Sequence, residues 1–378
     1  LFIIVHSFFI NLPPCSIHAW RQCNTMAVAR NFAEEDMNIL HPRVDRRFES
    51  DGITGTAFPL YEWLLANFMR FIGNPNYLSR IFSLFISVIG IIFCYRFIGI
   101  ISDNKSVAAF TASSICWAPE FFYHSMNALP DILALTLAFA SLYYFEKGIK
   151  SNSISAFFIS MLFLTLSGLV KIQYLMIGAY FATIFLMHLI KNTESILKKN
   201  KITIAVAGCL SIAITLGWYK YALLLIERSN LRDIGIEIRN ADSIEVGLMI
   251  LKKNLISDWP ELVFGYANTL AIVIGIIAAF KKRNSKYFLP FLGLVIAYCA
   301  YHFLDLRQMQ VHHYYMLPSY LFAVGLMAAG FQYLIIKKKS AIILLVLIAQ
   351  PILAGIRIIP KSCLPQRAGI ILIPASIG

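Results

Sequence analysis

The chain has 378 residues, of which 58% are hydrophobic and 14% charged, and its formal net charge is +13. A soluble domain carries about 25% charged residues, so this composition excludes an ordinary water-soluble globular protein. The positive charge excludes a nucleic-acid binder as well, because it forms no single patch and falls in short clusters beside apolar runs.

Taken in chain order, apolar runs predict membrane spans over 1–12 (partial), 78–101, 106–123, 130–146, 154–170, 173–190, 202–224, 263–280, 286–304, 315–336 and 340–357. These make eleven crossings of an all-α polytopic bundle. The first run is too short to span and lacks a basic leader, so it is expected to be the tail of a helix rather than a signal peptide. Lysines mark every second loop: Lys105, Lys147/Lys150, Lys191/Lys198/Lys199/Lys201, Lys281/Lys282/Arg283/Lys286 and Lys337/Lys338/Lys339. The positive-inside rule places those loops in the cytoplasm and puts the alternate turns, His124–Pro130, Lys171–Tyr174 and Asp305–Tyr314, outside. A single transmembrane domain over 1–357 is expected, followed by an external, truncated tail over 358–378.

Two outer loops are long, at about 13–77 and about 225–262. The first contains two expected in-plane helices, 18–36 with Ser16 as a candidate N-cap and 58–72 ending at Gly73. The second contains Ile244, Leu248, Leu251 and Leu255 at helical spacing behind Ser243, which predicts a further surface helix. Seven cysteines are scattered without a metal-ligand spacing, so they read as small buried hydrophobes rather than a disulfide framework.

Unusual polar residues gather on the outer side. His18, Arg21, Gln22 and Thr25 fall at i, i+3, i+4 and i+7 of the first loop helix, a stripe suited to an anionic group such as phosphate, or equally to plain solvation. Asp45 lies among Arg43, Arg46 and Arg47, which should keep it ionised and able to accept a proton from an attacking hydroxyl; an ordinary loop salt bridge is the alternative. Gly52 and Gly55 would permit tight turns and close approach to a ligand. Asp131 opens a span behind Pro130, where it either serves function or caps the helix. Lys171 stands in an outer turn against the lysine bias, with snorkelling as its plain reading. Arg307, His312 and His313 add donors in the last outer turn beside Tyr314 and Tyr315; adjacent histidines are weak evidence for metal.

In order, His18-Ala-Trp-Arg-Gln, Ala29-Arg-Asn-Phe32, Pro42-Arg-Val-Asp45, Gly52-Ile-Thr-Gly55, Phe58-Pro-Leu-Tyr61, Pro130-Asp131, Lys171 and His313-Tyr-Tyr-Met-Leu-Pro318 together resemble the glycosyltransferase family 39 type of integral membrane enzyme. That family lies in the GT-C superfamily, with protein O-mannosyltransferases and lipid A aminoarabinose transferases among its relatives. The resemblance implies a GT-C-like bundle with two juxtamembrane helices in a large first external loop. It also implies transfer of a sugar from a polyprenyl-phosphate donor to an acceptor at the extracytoplasmic face, with inversion. Asp45 and Asp131 map to the catalytic acids, with Asp45 as the general base. His18, Arg21, Gln22, Lys171, Arg307, His312 and His313 are expected to bind the donor phosphate, and Asn24, Tyr61 and Tyr314 to line the pocket. Relatives carry Asp where this chain has Asn24, and Glu where it has Ala57; if either is the base position, this copy is impaired. The acceptor class stays open among lipid, glycan and protein, no metal site is assigned, and a divalent metal is kept as an optional cofactor. The bacterial cytoplasmic membrane is the expected location. A transporter or flippase of lipid-linked sugar, another lipid-linked sugar enzyme, and an inactive truncated homologue are the competing readings. Polar residues at one surface rather than at mid-membrane favour the enzyme.

Overall fold

The structure, a computed structural model, describes residues 1–14, 17–190, 196–231, 241–281 and 287–358. The expected cap Ser16, the tail beyond 358, and Lys191, Lys282, Arg283 and Lys286 lie outside the described residues. Apart from one isolated antiparallel bridge between Arg43 and Ile53, the described residues form helices and loops.

A short helix α1 (Phe2–Ser7) precedes the two loop helices α2 (Ala19–Glu34) and α3 (Leu60–Ile72). Helix α3 ends on Gly73, whose φ of +82° suits a residue without Cβ. Next come α4 (Asn76–Ser102), α5 (Lys105–Cys116), α6 (Pro119–His124), α7 (Pro130–Lys150) and α8 (Ile154–Val170). The side chain of Asn104 accepts from the backbone amides of Ser106 and Val107 at the start of α5, and Ser153 accepts from Ala156 at the start of α8. The single span expected over 106–123 is broken at Trp117–Ala118, because Pro119 has no N–H to continue the ladder and instead starts α6. Beyond the 3₁₀ turn Ile172–Met176 follow α9 (Ile177–Ile190), α10 (Ile196–Lys199) and α11 (Lys201–Ser229). Helix α12 (Ile244–Lys253) is capped by Ser243 and carries the expected exposed apolar side chains Ile244 and Leu248. It runs on as a π-helical segment (Asn254–Val263) and turns into α13 (Tyr266–Lys281). The order closes with α14 (Phe288–Leu304), α15 (Leu306–Val311), a 3₁₀ turn (His313–Ser319), α16 (Tyr320–Ile336) and α17 (Ser340–Ile358).

By length and composition, five helical segments among the described residues can cross a membrane, and a sixth if the pair Ile244–Val263 and Tyr266–Lys281, bent by 119°, is one span. Ile154–Val170, Phe288–Leu304 and Ser340–Ile356 are apolar but shorter. Of the eleven expected crossings, five or six thus have the length and composition of a full span among the described residues, and three more are apolar but shorter. Burial sorts them. In α7, 78% of the apolar window is inside the protein, against 28% for α11, so α7 is the central post and α11 a flank. Apolar side chains such as Phe85, Leu186, Val206 and Leu216 face outward, as lipid contact requires. One large apolar core joins α7 to α4, α8, α9 and α16.

The first long loop, at about 13–77, is strapped onto this core. Val44 N–H donates to the Gly52 carbonyl at 3.0 Å and Thr54 N–H to that of Pro42 at 3.1 Å, closing a small hairpin. Trp218 Nε1 donates to the Thr56 carbonyl at 3.2 Å, and Phe58 N–H to that of Leu169 at 3.0 Å. Gly55 approaches α11 rather than a ligand: a Cβ there would stand 1.8 Å from the Ala222 carbonyl oxygen. Gly55→Ala is expected to lower stability by about 1–3 kcal/mol as the strap is pushed off α11, read as a drop in thermal midpoint in detergent.

Candidate functional site

Helices α2 and α3 lie beside the start of α7 and enclose a small cleft, open to solvent. Arg21, Asn24, Thr25 and Val28 line one wall, Thr56, Ala57 and Phe58 of the strap another, with Val44, Glu62 and Pro130 completing it. The helical stripe predicted on α2 turns to the interior: Gln22 and Thr25 are buried, and Gln22 Nε2 and Thr25 Oγ1 have no hydrogen-bond partner among the described residues.

Arg21 is partly buried and has neither an ion pair nor a hydrogen bond among the described residues. Burial opposes its charge, yet the acidic groups of Tyr314, Glu62, Tyr315 and Asp131 raise its pKa overall. Behind Pro130, Asp131 is 1% exposed and its Oδ1 lies 3.1 Å from Lys171 Nζ. The Lys171 ammonium sits 5.6 Å from the ring centre of Tyr314 and 5.1 Å from that of Tyr315, an aromatic seat for the cation. Lys171 is thus committed to Asp131 and two rings, and Arg21 is the uncommitted cation of the cleft.

His18 is the N-cap of α2 with φ of +62°, and its Nδ1 lies 3.4 Å from His312 Nδ1. Its ring also meets Tyr314 edge-on, at 5.0 Å between centres. Burial first, then the neighbouring His124, pushes the His18 pKa down to about 3, which favours the neutral imidazole. His124 is paired with Glu120 at 2.8 Å, a buried couple that the sequence did not single out. Among the described residues no group of three or more His, Cys, Asp or Glu side chains could hold a metal ion.

Three sequence expectations are redrawn. Asp45 does not reach the cleft: Arg30 Nη2 donates to it at 2.7 Å and Asn31 Nδ2 at 3.0 Å, and its side chain is half exposed. Its basic sequence neighbours turn elsewhere, Arg43 and Arg47 to Glu35, and Arg46 over the Phe48 ring. Burial pushes the Asp45 carboxyl up, but the bonds from Asn31 and Arg30 outweigh it and hold the pKa below the ordinary value. Arg307 is exposed and clasps Asp242 at 2.6 Å, away from the cleft lining. Tyr61 points into the core, 2.6 Å from Ser83 Oγ, rather than into the pocket. Asn24 does line the cleft, and Tyr314, His312 and His18 form one aromatic group beside Lys171. His313 is partly buried, and its Nε2 has no hydrogen-bond partner.

Glu62 is the residue the sequence reading passed over. It is 7% exposed and lies on the buried stripe of α3 with Leu65, Ala66 and Met69. A carboxylate at i of an i, i+3, i+4, i+7 apolar pattern is the signal that would have found it.

A family model described as dolichyl-phosphate-mannose-protein mannosyltransferase matches residues 56–219, which include Glu62, Asp131 and Lys171 but not α2. Among solved structures, ArnT from Cupriavidus metallidurans in the apo state superposes with a TM-score of 0.59 at 14% identity, over 87% of this chain and 58% of that one. The chain shares the fold of this ArnT structure. The same ArnT bound to undecaprenyl phosphate gives a TM-score of 0.58 at 13% identity, again over 87% of this chain and 58% of that one. The Archaeoglobus fulgidus oligosaccharyltransferase, in complex with zinc and sulfate, gives 0.58 at 15% identity over 97% of this chain and 53% of that one. The chain thus spans little more than half the length of these structures. No curated protein matches it.

Proposed function

We propose that the chain moves a sugar from a polyprenyl-phosphate donor to an acceptor at the extracytoplasmic face, with inversion. The observation that carries this reading is the uncommitted Arg21 guanidinium in a cleft at the edge of the apolar bundle, with a buried carboxylate on the same lining. A direct displacement needs both: a cation where the phosphate oxygen gains charge and an acceptor for the proton of the attacking group. The ArnT structure with undecaprenyl phosphate supports a lipid-linked donor for this fold. The alternating lysine loops support an outer position for the cleft. At the lysine-bearing end, Asp103 meets Lys150 at 3.3 Å and Lys281 lies 5.4 Å from the Tyr333 ring, joining α4 to α7 and α13 to α16.

Incubating the purified protein with radiolabelled polyprenyl-phosphate sugars and membrane extract tests the reading. Label entering a non-lipid or lipid A product supports transfer, whereas label crossing liposomes with no new bond replaces the enzyme by a transporter. In the same assay Asp45→Asn is expected to keep transfer within about threefold and to cost about 0–1 kcal/mol, as an exposed ion pair does. A hundredfold loss would return Asp45 to the role of base.

A further inference from the structure

We propose that Glu62 is the group that removes the proton from the acceptor, and that the acceptor is accordingly a hydroxyl. This rests on the sugar-transfer reading above and specifies its chemistry. Glu62 is the one carboxylate among the residues lining the cleft; its other polar liners, Asn24, Thr25 and Thr56, do not titrate near neutrality. The remaining acids nearby are engaged, Asp131 with Lys171 and Asp45 with Arg30 and Asn31. No ion pair or hydrogen bond from another described side chain holds the Glu62 carboxylate, and it faces the same cleft as Arg21 without pairing to it.

That arrangement is costly as architecture. A carboxylate buried on an apolar helix stripe, held by its own backbone N–H but by no other described side chain, destabilises the fold unless something else uses it. Glu62 and Arg21 line the same cleft, an acid and a guanidinium that meet no shared partner among the described residues. The acceptor oxygen bonds to the anomeric carbon and its proton passes to Glu62. The bond from that carbon to the phosphate oxygen breaks, its electrons leave with polyprenyl phosphate, and Arg21 takes the new charge. Glu62 then returns the proton to water. Burial pushes the Glu62 carboxyl up to about 7, despite opposing pulls from its own backbone N–H, Arg21 and Lys171, which suits a base working near neutrality.

The test uses the full chain in lipid nanodiscs with a radiolabelled polyprenyl-phosphate sugar and membrane extract. Glu62→Gln is expected to slow single-turnover transfer by about 100-fold or more, to leave donor binding within about threefold, and to abolish the rise in rate through neutral pH. Glu62→Asp is expected to keep that rise with a partial loss. A folding control separates chemistry from structure. The folded carboxyl ionises near 7 against an ordinary 4.5, so stability is lost as pH rises through that window, and Glu62→Gln should be the more heat-stable protein above it. Transfer by Glu62→Gln at the wild-type rate with the same pH profile overturns the assignment alone. Parallel loss of donor binding and stability overturns it in favour of a structural role. Absence of transfer by the wild type overturns the functional reading, and the assignment with it.

Discussion

Arg21→Ala is expected to lower kcat/KM for the lipid-linked donor by about 100- to 1000-fold, the usual effect of deleting one preorganised donor from a developing anion. The side chain lines the cleft and has no ion pair among the described residues, so its removal breaks no described structural contact. Stability should therefore hold while transfer falls, which separates this variant from a folding defect. Arg21→Lys keeps the charge but loses the planar fork that meets two phosphate oxygens together, and should recover only part of the rate. The check is an initial-rate series against donor concentration, with polyprenyl phosphate as a product inhibitor. Weaker inhibition in Arg21→Ala places the phosphate at this guanidinium. Transfer and inhibition both within about threefold of wild type would remove Arg21 from the phosphate site and leave the cleft without a free cation.

What the sequence revealed and what it hid divide by range. The stripe through Arg21 and Thr25 was legible because a helix brings i, i+4 and i+7 together by its own geometry. The ends of α8 and α14 were legible because an apolar run announces its own length. Asp45 was misplaced because three arginines adjoin it in sequence, while the partners that hold it, Arg30 and Asn31, come from the helix packed against the loop. Arg307 was misplaced for the same reason: Asp242, which takes it, is 65 residues away. Glycine flexibility at Gly55 was visible, but not that a helix backbone rather than a ligand needed the space. Glu62 lies within the expected in-plane helix 58–72, where nothing local sets it apart from a solvated carboxylate. Its significance depends on which side of α3 faces Arg21, and that is set by tertiary packing.

Breaking the Asp131–Lys171 pair should be the most damaging change to the fold. Asp131 is 1% and Lys171 6% exposed, and removing one partner of a buried pair leaves an unpaired charge, a loss of about 3–5 kcal/mol. Lys171→Met and Asp131→Asn are each expected to lower the thermal midpoint in detergent sharply and to abolish transfer. The double variant Asp131→Asn with Lys171→Met removes both charges and should regain most of the midpoint. Its activity then decides what the pair is for. Asp131 follows Pro130 of the cleft lining, and its buried Oδ2 has no hydrogen-bond partner among the described residues, so the pair can bear on the reaction only through the cleft wall it supports. A double variant that is stable but inactive assigns the pair a part in the reaction beyond holding the fold. A double variant that is stable and active reduces the pair to a structural peg at the head of α7, and places the chemistry on Arg21 and Glu62 alone.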